Sequence, residues 1–397
     1  MSGFGGCGLS AGTVAPGGWT CHSGRMTTAD TDFEIFLAAP PGLELVLCEE
    51  VRLKGFKRPV VVPGGVVTRG GWPEVWRANL WVRGASRVLA RVDSFPAVHL
   101  AELERRARRV AWASVLRPDV AFRVEAVCLG SRIYHEGAAA ERVETAIKSA
   151  LGAQVSPVAE VVVRLRIERN MCVLSVDTSG ELLHRRGYKQ AVNRAPLRET
   201  LAALFLRQCR FDGVESVVDP MCGSGTFVIE AAEIAARLNP GRARNFAFER
   251  MATFDEEAWR AMRAPRGVRT PTARYYGRDR DAGAIAMSCE NAERAGVTAF
   301  TDFRCAVISE ATPPDGPPGL VMINPPYGAR IGDKGELAPL YGALGKILMQ
   351  RFSGWRVGLV ANDSGLAHAT GLPFLPNDAP VPHGGLRVTL FQTDPLG

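Results

Sequence analysis

Four residues after a predicted buried strand have types that suit a reaction at an amino group. Asn324, Pro325, Pro326 and Tyr327 directly follow the apolar run of residues 319–323. The exocyclic amino nitrogen of a base is a poor nucleophile because its lone pair is delocalised into the ring. The Asn324 side-chain oxygen and the Pro325 carbonyl can accept its hydrogens and direct the lone pair at a methyl donor. The prolines fix φ and remove competing N–H donors, and Tyr327 offers a stacking face. The pattern predicts methyl transfer to a base amine without a general base of shifted pKa.

A glycine-rich turn forms a second candidate site. A predicted strand at residues 216–218 leads through Gly223 and Gly225 into a predicted helix at residues 226–238. Glycine permits positive φ and close backbone approach, and a helix N-terminus favours a carboxylate or phosphate. Val228 stands where the dinucleotide fingerprint has its third glycine. The turn alone fits a structural turn as well as a ligand site.

An acidic residue follows the next predicted strand. Asp279 lies at the end of the strand that begins near residue 274, and Asp281 follows it. An acid at the end of the second strand can accept both hydroxyls of a ribose. Alone, Asp279 fits a surface turn and Asp281 fits a helix cap. The glycine turn before it and Asn324 after it make a nucleoside-containing cofactor the better interpretation of Asp279.

The excess positive charge lies in the first half of the chain. Residues 31–195 carry 25 Lys and Arg against 18 Asp and Glu, whereas residues 196–397 carry 22 of each. This split predicts a polyanion-binding module joined to a neutral catalytic one. The alternative is that a net charge of +7 serves only solubility.

Composition narrows the compartment. The nine cysteines are scattered and never form Cys-x-x-Cys, which argues against a disulfide framework or a zinc site and predicts a reducing, cytoplasmic location. No apolar run approaches the ~18 residues that span a membrane. Residues 1–30 contain eight glycines and lack the pattern of a secretory signal. They are predicted to be a disordered leader, with Met26 as an alternative start.

The first half alternates short strands and helices, which predicts a small α+β arrangement of two units in series. Strands are predicted at residues 33–38, 60–62, 66–67, 87–92, 121–127, 161–167 and 171–176, and helices at 42–54, 73–81, 98–112 and 138–151.

The second half has the pattern of an α/β, doubly wound and mostly parallel sheet, because apolar runs alternate with helical stretches of ten or more residues. Strands are predicted at residues 216–218, 274–276, 320–323 and 357–360. A polar insert covers residues 240–271, with a helix at 255–262.

The order of the three motifs resembles class I S-adenosylmethionine-dependent methyltransferases that modify exocyclic amino groups. More closely, residues 33–397 resemble the THUMP-domain RNA methyltransferases, and among them the bacterial enzymes that methylate guanine N2 of large-subunit ribosomal RNA. The resemblance is carried by Asp219-Pro220-x-Cys222-Gly223-Ser224-Gly225-Thr226, Gly277-x-Asp279-x-Asp281, Asn324-Pro325-Pro326-Tyr327-Gly328, Leu183 to Tyr188, Ala195 to Ala202, Arg330-Ile331-Gly332, Trp355 and Gly384-Gly385-Leu386.

This resemblance implies three domains after the leader. They are a ferredoxin-like unit at residues 31–90, a THUMP unit that grips RNA at 91–185, and a Rossmann-like seven-stranded methyltransferase domain at 186–397. It also implies a cofactor, S-adenosylmethionine, and assigns residues to it. Asp219, Met221, Gly223 and Gly225 would line its methionine part, Asp279 would take the ribose, Arg280 would lie by the adenine, and Pro196 and Thr200 would close the pocket. Asn324 would contact the cofactor as well, and together with Pro325, Pro326 and Tyr327 it would hold the target base.

One departure from the family concerns the cofactor adenine. Such enzymes often place an acid after the third strand, but here residues 303–305 run into Ala306 and Val307, and the nearest acids are Asp302 and Glu310. Either a backbone group replaces the acid or cofactor affinity is lowered.

Basic residues outside the motifs are candidates for RNA contact. Helical spacing predicts that Arg105, Arg108 and Arg109 share one face. Arg185 and Arg186 fit either phosphate contacts or a tether between domains. Cys222 is interpreted as a packing residue, and His184 as structural, because no second ligand stands at metal spacing.

The predicted activity is methyl transfer from S-adenosylmethionine to a base amine in RNA, most simply guanine N2 of large-subunit ribosomal RNA. No metal or membrane partner is predicted. Enzyme alternatives are a guanine-N2 transfer RNA methyltransferase, an adenine-N6 methyltransferase acting on DNA, and a methyltransferase for a protein glutamine amide. A non-catalytic RNA-binding assembly factor is an alternative of another class.

Overall fold

Two seven-stranded sheets organise the part of the chain that the computed structural model describes, namely residues 32–190, 197–326 and 334–397. The predicted leader at residues 1–30, Pro196, Tyr327 and residues 330–332 lie outside the described residues. Each half of the chain contributes one sheet, so the predicted change of architecture between the halves is confirmed.

The first sheet has the strand order β2-β3-β1-β4-β7-β6-β5. All of its neighbouring strands are antiparallel except β5 and β6, which are parallel. Along β1 buried residues alternate with partly exposed ones, as expected for a strand with one face on the core. The elements are β1 (Phe33–Ala38), α1 (Glu44–Leu53), β2 (Lys57–Val62), β3 (Gly65–Gly70), α2 (Trp72–Trp81), β4 (Arg87–Pro96), α3 (Leu100–Ala107), β5 (Phe122–Leu129), α4 (Glu136–Leu151), β6 (Val161–Glu168) and β7 (Met171–Asp177).

Strand β4 belongs to both halves of this sheet. Its residues Arg87 to Ala90 pair with β1, and its residues Leu89 to Pro96 pair with β7. The boundary predicted between residues 90 and 91 therefore falls inside a strand. The seven strands form one continuous sheet, in which no edge separates two units.

The second sheet has the order β10-β9-β8-β11-β12-β14-β13. Strands β8 to β12 are mutually parallel, and β14 runs antiparallel to both β12 and β13. The elements are α5 (Glu199–Gln208), β8 (Val217–Asp219), α6 (Thr226–Ala235), α7 (Glu256–Arg263), β9 (Tyr275–Asp279), α8 (Ala282–Ala295), β10 (Thr301–Cys305), β11 (Leu320–Ile323), α9 (Lys334–Arg351), β12 (Arg356–Ala361), α10 (Ser364–His368), β13 (Val381–His383) and β14 (Leu386–Gln392).

The chain order reverses between β8 and β11, which lie side by side. Ligands of open α/β sheets bind at such a switch point, outside the carboxyl ends of the strands. The predicted doubly wound sheet is confirmed, and its topology already selects the edge at which a site is expected.

A buried ion-pair network joins the two halves. Arg83, in the loop before β4, bonds Glu230 (2.7 Å) and Glu233 (3.1 Å) on α6, and Arg186 bonds Glu230 over 3.1 Å. Burial alone would lower the pKa of Arg83, but the charges of Glu230 and Glu233 outweigh it and raise the pKa. Since removal of one partner leaves a buried charge uncompensated, the network fixes how the halves dock.

The insert at residues 240–271 packs on the first half through aromatic rings. Phe248 stacks on Trp76 of α2 at 6.0 Å, and it meets Trp259 of α7 edge-on at 4.9 Å. The N–H of Phe248 also donates to the carbonyl of Thr178, just after β7. The insert therefore packs against the first sheet and helps to hold it to the second half of the chain.

Membrane spans and metal clusters are both absent from the described residues. None of their helices is long and apolar enough to cross a membrane. They also contain no group of three or more His, Cys, Asp and Glu side chains that could hold a metal ion.

Candidate active site

The three sequence motifs meet at one edge of the second sheet. Asp219 ends β8, Asp279 ends β9, and Asn324 directly follows β11. Strand β8 lies between β9 and β11, with Asp219 level with Gly277 and Val218 level with Val321. Because these strands are parallel, their carboxyl ends point the same way. The structure thus brings together residues that lie more than 100 positions apart in the sequence.

The turn after β8 needs its glycines. Gly223 and Gly225 both adopt positive φ, at 53° and 80°. A Cβ on Gly225 would lie 3.1 Å from the ring of Phe303, and one on Gly277 only 2.3 Å from the same ring. Both positions therefore exclude side chains because Phe303 packs against them, whereas a Cβ on Gly223 would meet no atom within 4 Å, so the turn has open space at that residue.

Asp279 fastens this turn to β9. Its Oδ2 accepts from the N–H of Gly223 (2.9 Å), and its Oδ1 accepts from the N–H of Asp281 (3.0 Å). Each carboxylate oxygen keeps a free lone pair for another donor. Asp281 caps α8 by accepting from the N–H of Gly283 at 2.8 Å, so the structure gives Asp281 the capping role.

Asp219 is a buried carboxyl group at the end of β8. Its Oδ1 accepts from the N–H of Met221 over 3.0 Å. Burial raises the pKa of Asp219 well above its usual range, and the nearby charge of Asp279 adds to the rise. A cation placed beside this carboxyl group would offset that cost.

Cys222 packs in the same turn. Burial raises the pKa of its thiol well above the ordinary value, with further contributions from the charges of Asp219 and Asp279. A thiol held protonated is a poor nucleophile, which agrees with its interpretation as a packing residue.

Lys189 is a residue of this region that the sequence did not single out. Its Nζ donates to Thr226 Oγ1 and to the Leu197 carbonyl, both at 2.8 Å, and lies 3.6 Å from Glu199. Thr200, a predicted cofactor residue, is buried beside Glu199 in the first turn of α5. Lys189 therefore ties the start of α5 to the start of α6. A lone lysine in a polar stretch carries no periodic signal, so only the fold reveals this contact.

The side-chain oxygen of Asn324 is available to a ligand. Its Oδ1 is buried and has no hydrogen-bond partner among the described residues. Pro325 is buried, and the Tyr341 hydroxyl on α9 donates to the Pro326 carbonyl over 3.4 Å. Tyr341 is a second positioning residue that the sequence patterns did not reveal. Buried polar atoms without partners are rare, so the oxygen of Asn324 is marked as a place for a ligand donor.

Asn362 repeats this arrangement on the neighbouring strand. It directly follows β12, which pairs with β11, and its Oδ1 is also buried without a partner in the described part of the chain. The sequence signal was present, because Asn362 follows an apolar strand as Asn324 does. Because no prolines follow Asn362, the sequence pattern did not identify it as a site residue.

In the region assigned to the adenine, one of the two nearest acids is already paired, and the other, Glu310, is exposed in a short helical turn. Arg280 is exposed, and its carbonyl accepts from the Cys305 thiol at 3.5 Å. Asp302 is already paired with Arg304 over 2.9 Å and Arg278 over 3.5 Å. Val307 is 43% exposed at the edge of the site. The departure seen in the sequence therefore persists in the structure.

The predicted RNA-contacting face on α3 needs correction. The helix ends at Ala107, whose carbonyl is taken by the Trp112 ring N–H at 2.7 Å. Of the three predicted arginines only Arg105 lies within the helix. Arg105 and Arg109 are exposed, while Arg108 is exposed but bonds Glu104 over 2.7 Å.

Arg185 and Arg186 differ in their surroundings. Arg185 is exposed and pairs with Glu181 over 2.8 Å. Arg186 is 2% exposed and bonds Glu230 and the carbonyl of Arg83. The prediction that Arg186 contacts RNA is therefore wrong for this structure, because burial removes the guanidinium from solvent. It takes the tethering role, the other option that the sequence left open.

Comparisons with known proteins agree with this geometry. Residues 186–373 match the family model described as RMKL-like, methyltransferase domain, and residues 34–89 match that of the RlmL ferredoxin-like domain. Ribosomal RNA large subunit methyltransferase K/L from Chromohalobacter salexigens is 36% identical over 361 residues, which are 85% of this chain and 49% of the relative. The chain thus spans about half the length of that curated relative.

Solved structures extend the likeness to the whole fold. The crystal structure of SMU.472, complexed with S-adenosylhomocysteine, has a TM-score of 0.81 at 25% identity. The match covers 93% of this chain and 99% of the SMU.472 chain. A protein from Listeria monocytogenes named a predicted N6-adenine-specific DNA methylase has a TM-score of 0.79 at 27% identity and covers 91% and 96%. By these matches, residues 186–373 form an RMKL-like methyltransferase domain, and residues 34–89 in front of it form an RlmL-type ferredoxin-like domain.

Proposed function

We propose that the chain transfers a methyl group from S-adenosylmethionine to the exocyclic amine of a base in RNA, with guanine N2 of large-subunit ribosomal RNA as the target. The observation that carries this proposal is the buried, unpartnered Oδ1 of Asn324 at the switch point of the sheet. An amine with two N–H donors is the substrate group that such an acceptor fits. The RNA substrate is supported by the similarity to the ribosomal RNA methyltransferase K/L and by the basic first half.

The residues present fit the proposed cofactor. Asp279 keeps free lone pairs for the ribose hydroxyls, and the buried carboxyl group of Asp219 suits the ammonium of the methionine part. The open backbone of Gly223 and Gly225 admits close approach, with Met221 beside it. Arg280 is exposed where the adenine would lie, while Thr200 and Pro196 belong to the segment that closes the pocket. When bound, S-adenosylmethionine supplies an electrophilic methyl group on a sulfonium centre.

The chain's own residues orient the nucleophile. Asn324 Oδ1 and the Pro325 carbonyl accept the two amine hydrogens, which holds the nitrogen towards tetrahedral geometry with its lone pair facing the methyl group. Tyr341 fixes the carbonyl of Pro326, and the role proposed for Tyr327 is to stack on the base. Orientation of this kind accelerates a two-substrate step without a general base.

The target base must leave any stack to reach the site, because the acceptors lie at the end of a buried strand. In this proposal residues 31–90 form the ferredoxin-like unit, residues 91–185 the THUMP unit that holds RNA, and residues 186–397 the methyltransferase domain. A cytoplasmic location, the reducing compartment predicted from the cysteines, fits a ribosomal RNA substrate.

The direct test is transfer of labelled methyl groups to separate substrates. Purified protein would be incubated with labelled S-adenosylmethionine and with unmodified large-subunit ribosomal RNA, transfer RNA, duplex DNA or total protein, and digests would be analysed by mass spectrometry. We expect N2-methylguanosine in the ribosomal RNA. Label in N6-methyladenine of DNA, in transfer RNA or in glutamine would move the assignment to that substrate. Cofactor binding without transfer to any of them would favour an assembly factor.

A further inference from the structure

A large cavity lies between the two halves, beside the candidate active site. Its volume is about 1600 Å³. Typical pockets for small ligands measure roughly 300–1,000 Å³. Its walls come from the first sheet, the segment at residues 179–190, the insert at residues 243–250 and the β13–β14 turn at His383 and Gly384. Such a space suits a segment of a polymer better than a small molecule.

The lining of the cavity is cationic. Its walls carry seven basic side chains and four carboxylates. The basic residues are Arg123, Arg185, Lys189, Arg198, Arg244, Arg250 and Arg263, and the acidic residues are Glu160, Glu181, Glu199 and Glu249.

Three of these arginines have no carboxylate partner. Arg244 and Arg263 bond only backbone carbonyls, and Arg198 is exposed, with no ion pair to any of the described residues. By contrast, Arg185 and Arg250 are paired with Glu181 and Glu160. The free positive charge of the cavity is thus concentrated on Arg198, Arg244 and Arg263.

Burial and the positive charge of the cavity lower the pKa values of two histidines in its wall. Burial, followed by the charges of Arg198, Arg185, Lys189 and Arg186, lowers the pKa of His184 to about 4. Burial, followed by the charges of Arg198 and Lys189, also lowers the pKa of His383. His383 is 8% exposed, and its buried Nδ1 has no partner among the described residues. The cavity therefore holds an unpaired buried polar atom in a region of positive potential.

Two contacts place the cavity near the sheet edge that carries the candidate site. Lys189, in its wall, donates to Thr226 Oγ1 at the start of α6, one residue after the glycine turn. In the register of β12 with β14, Ala361 pairs with Thr389. The turn at Gly384 and Gly385 therefore projects beyond the carboxyl end of β12, at the edge of the sheet where Asn324 lies.

We propose that this cavity binds backbone phosphates of the RNA strand that carries the target base, so that the strand passes between the first sheet and the insert. The inference rests on the proposed function and adds the path of its substrate. Arg198 and Arg263 contact phosphates from the two sides of the cavity. His383 forms a hydrogen bond with the RNA backbone at the end of the cavity nearest to the sheet edge that carries Asn324. Positive side chains without carboxylate partners are the groups that release counterions when they bind phosphate.

The test compares arginines inside and outside the cavity in the full chain. Arg198→Gln, Arg263→Gln and the double variant would be compared with Arg260→Gln and Arg266→Gln. The control arginines are exposed on or just after α7, do not line the cavity, and change the charge equally. Affinity for a transcript of large-subunit ribosomal RNA would be measured without cofactor at several salt concentrations. Melting temperatures would verify folding. Because Arg263 packs on Trp259, its replacement could also disturb the fold, and the single variant Arg198→Gln tests the phosphate path with this packing intact.

We expect the double variant to bind RNA ~10–100-fold more weakly and to lose roughly one to two phosphate contacts from the salt slope. The control pair should remain within about threefold of the wild-type chain, as expected for arginines that touch no phosphate. Equal losses in both pairs, or unchanged affinity in the folded cavity variants, would overturn the phosphate path. If that occurs while the wild-type chain methylates RNA, the proposed function survives. If the wild-type chain binds no RNA and methylates another substrate, the proposed function fails with it.

Discussion

The backbone N–H of Gly223 donates to Oδ2 of Asp279 over 2.9 Å, so the acid at the end of β9 also holds the glycine turn after β8. One carboxylate thus shapes the turn and, in the proposed function, also binds the cofactor ribose. A change at Asp279 should affect both the fold of the turn and the affinity for the cofactor.

Replacement of Asp279 by alanine should weaken S-adenosylmethionine binding by about 1.5–3 kcal/mol, the range for hydrogen bonds to a charged group. Titration calorimetry would measure this. Asp281→Ala is the matched control, because Asp281 caps α8 and its loss should cost about 0.5–2 kcal/mol of stability while cofactor affinity stays near that of the wild-type chain. Unchanged affinity in Asp279→Ala would remove the ribose role.

Asn324→Ala should lower turnover at least ~100-fold, as does the loss of one oriented polar group in other active sites. Cofactor affinity should persist, because Asp279, Asp219 and the glycine turn remain. Single-turnover methylation and calorimetry on the same preparation separate the two effects. Turnover close to that of the wild-type chain would show that the amide does not orient the amine.

Tyr341→Phe removes only the hydroxyl that bonds the Pro326 carbonyl. We expect a loss of about 0.5–1.5 kcal/mol, or roughly 2–10-fold, because a neutral hydrogen bond contributes that much. The loss should fall on kcat and leave KM for RNA nearly constant, since the contact positions the motif without touching the substrate. A change confined to KM would assign Tyr341 to RNA binding.

Arg185 and Arg186 are adjacent residues with opposite expected behaviour. Arg186→Met should lower the free energy of unfolding by about 1.5–3 kcal/mol, the range for a hydrogen bond to a charged group, because Glu230 would lose one buried partner and keep Arg83. Arg185→Met should change it by less than about 1 kcal/mol, as for exposed pairs. Urea unfolding of both variants would measure the difference. Similar small effects would mean that Arg186 is not a tether.

Stability should fall with acid through His184. Its pKa is about 4 in the folded chain against an ordinary 6.5, so below pH 6.5 the unfolded chain binds this proton more readily than the folded chain. Stability is therefore retained above pH 6.5 and lost as the pH falls towards 4. Urea unfolding between pH 7.5 and pH 4.5 should show a shallower loss for His184→Gln. The loss should also be shallower for Arg198→Gln, because Arg198 is the leading charge that lowers this pKa.

Periodic patterns predicted most elements because burial imposes a period of two on strands and 3.6 on helices. The strand at residues 33–38 and the motif strand at 320–323 match the structure residue for residue. The helix predicted at residues 98–112 was too long, because the Trp112 side chain takes the carbonyl of Ala107 and ends α3 early. Local propensity contains no information about such a contact.

Long-range polar contacts of the site could not be predicted in the same way. Arg83 and Glu230 are 147 positions apart, and Lys189 and Thr226 are 37 apart. Arg83, Glu230 and Lys189 lie outside the motifs, and each contact depends on how packed elements dock. The motif residues themselves were found because their chemistry requires particular residue types at strand ends, which a single sequence does display.

Strand β4 makes the seven strands of the first sheet a single cooperative structure. Arg87 to Ala90 pair with β1 and Leu89 to Pro96 pair with β7, so the amides of the overlap at Leu89 and Ala90 should be among the last in that half to exchange with solvent. A chain cut at residue 90 would leave β1 and β7 with open edges, which favour edge-to-edge aggregation. A fragment that begins at residue 32 and keeps β4 whole should therefore aggregate less than one that is cut at residue 90.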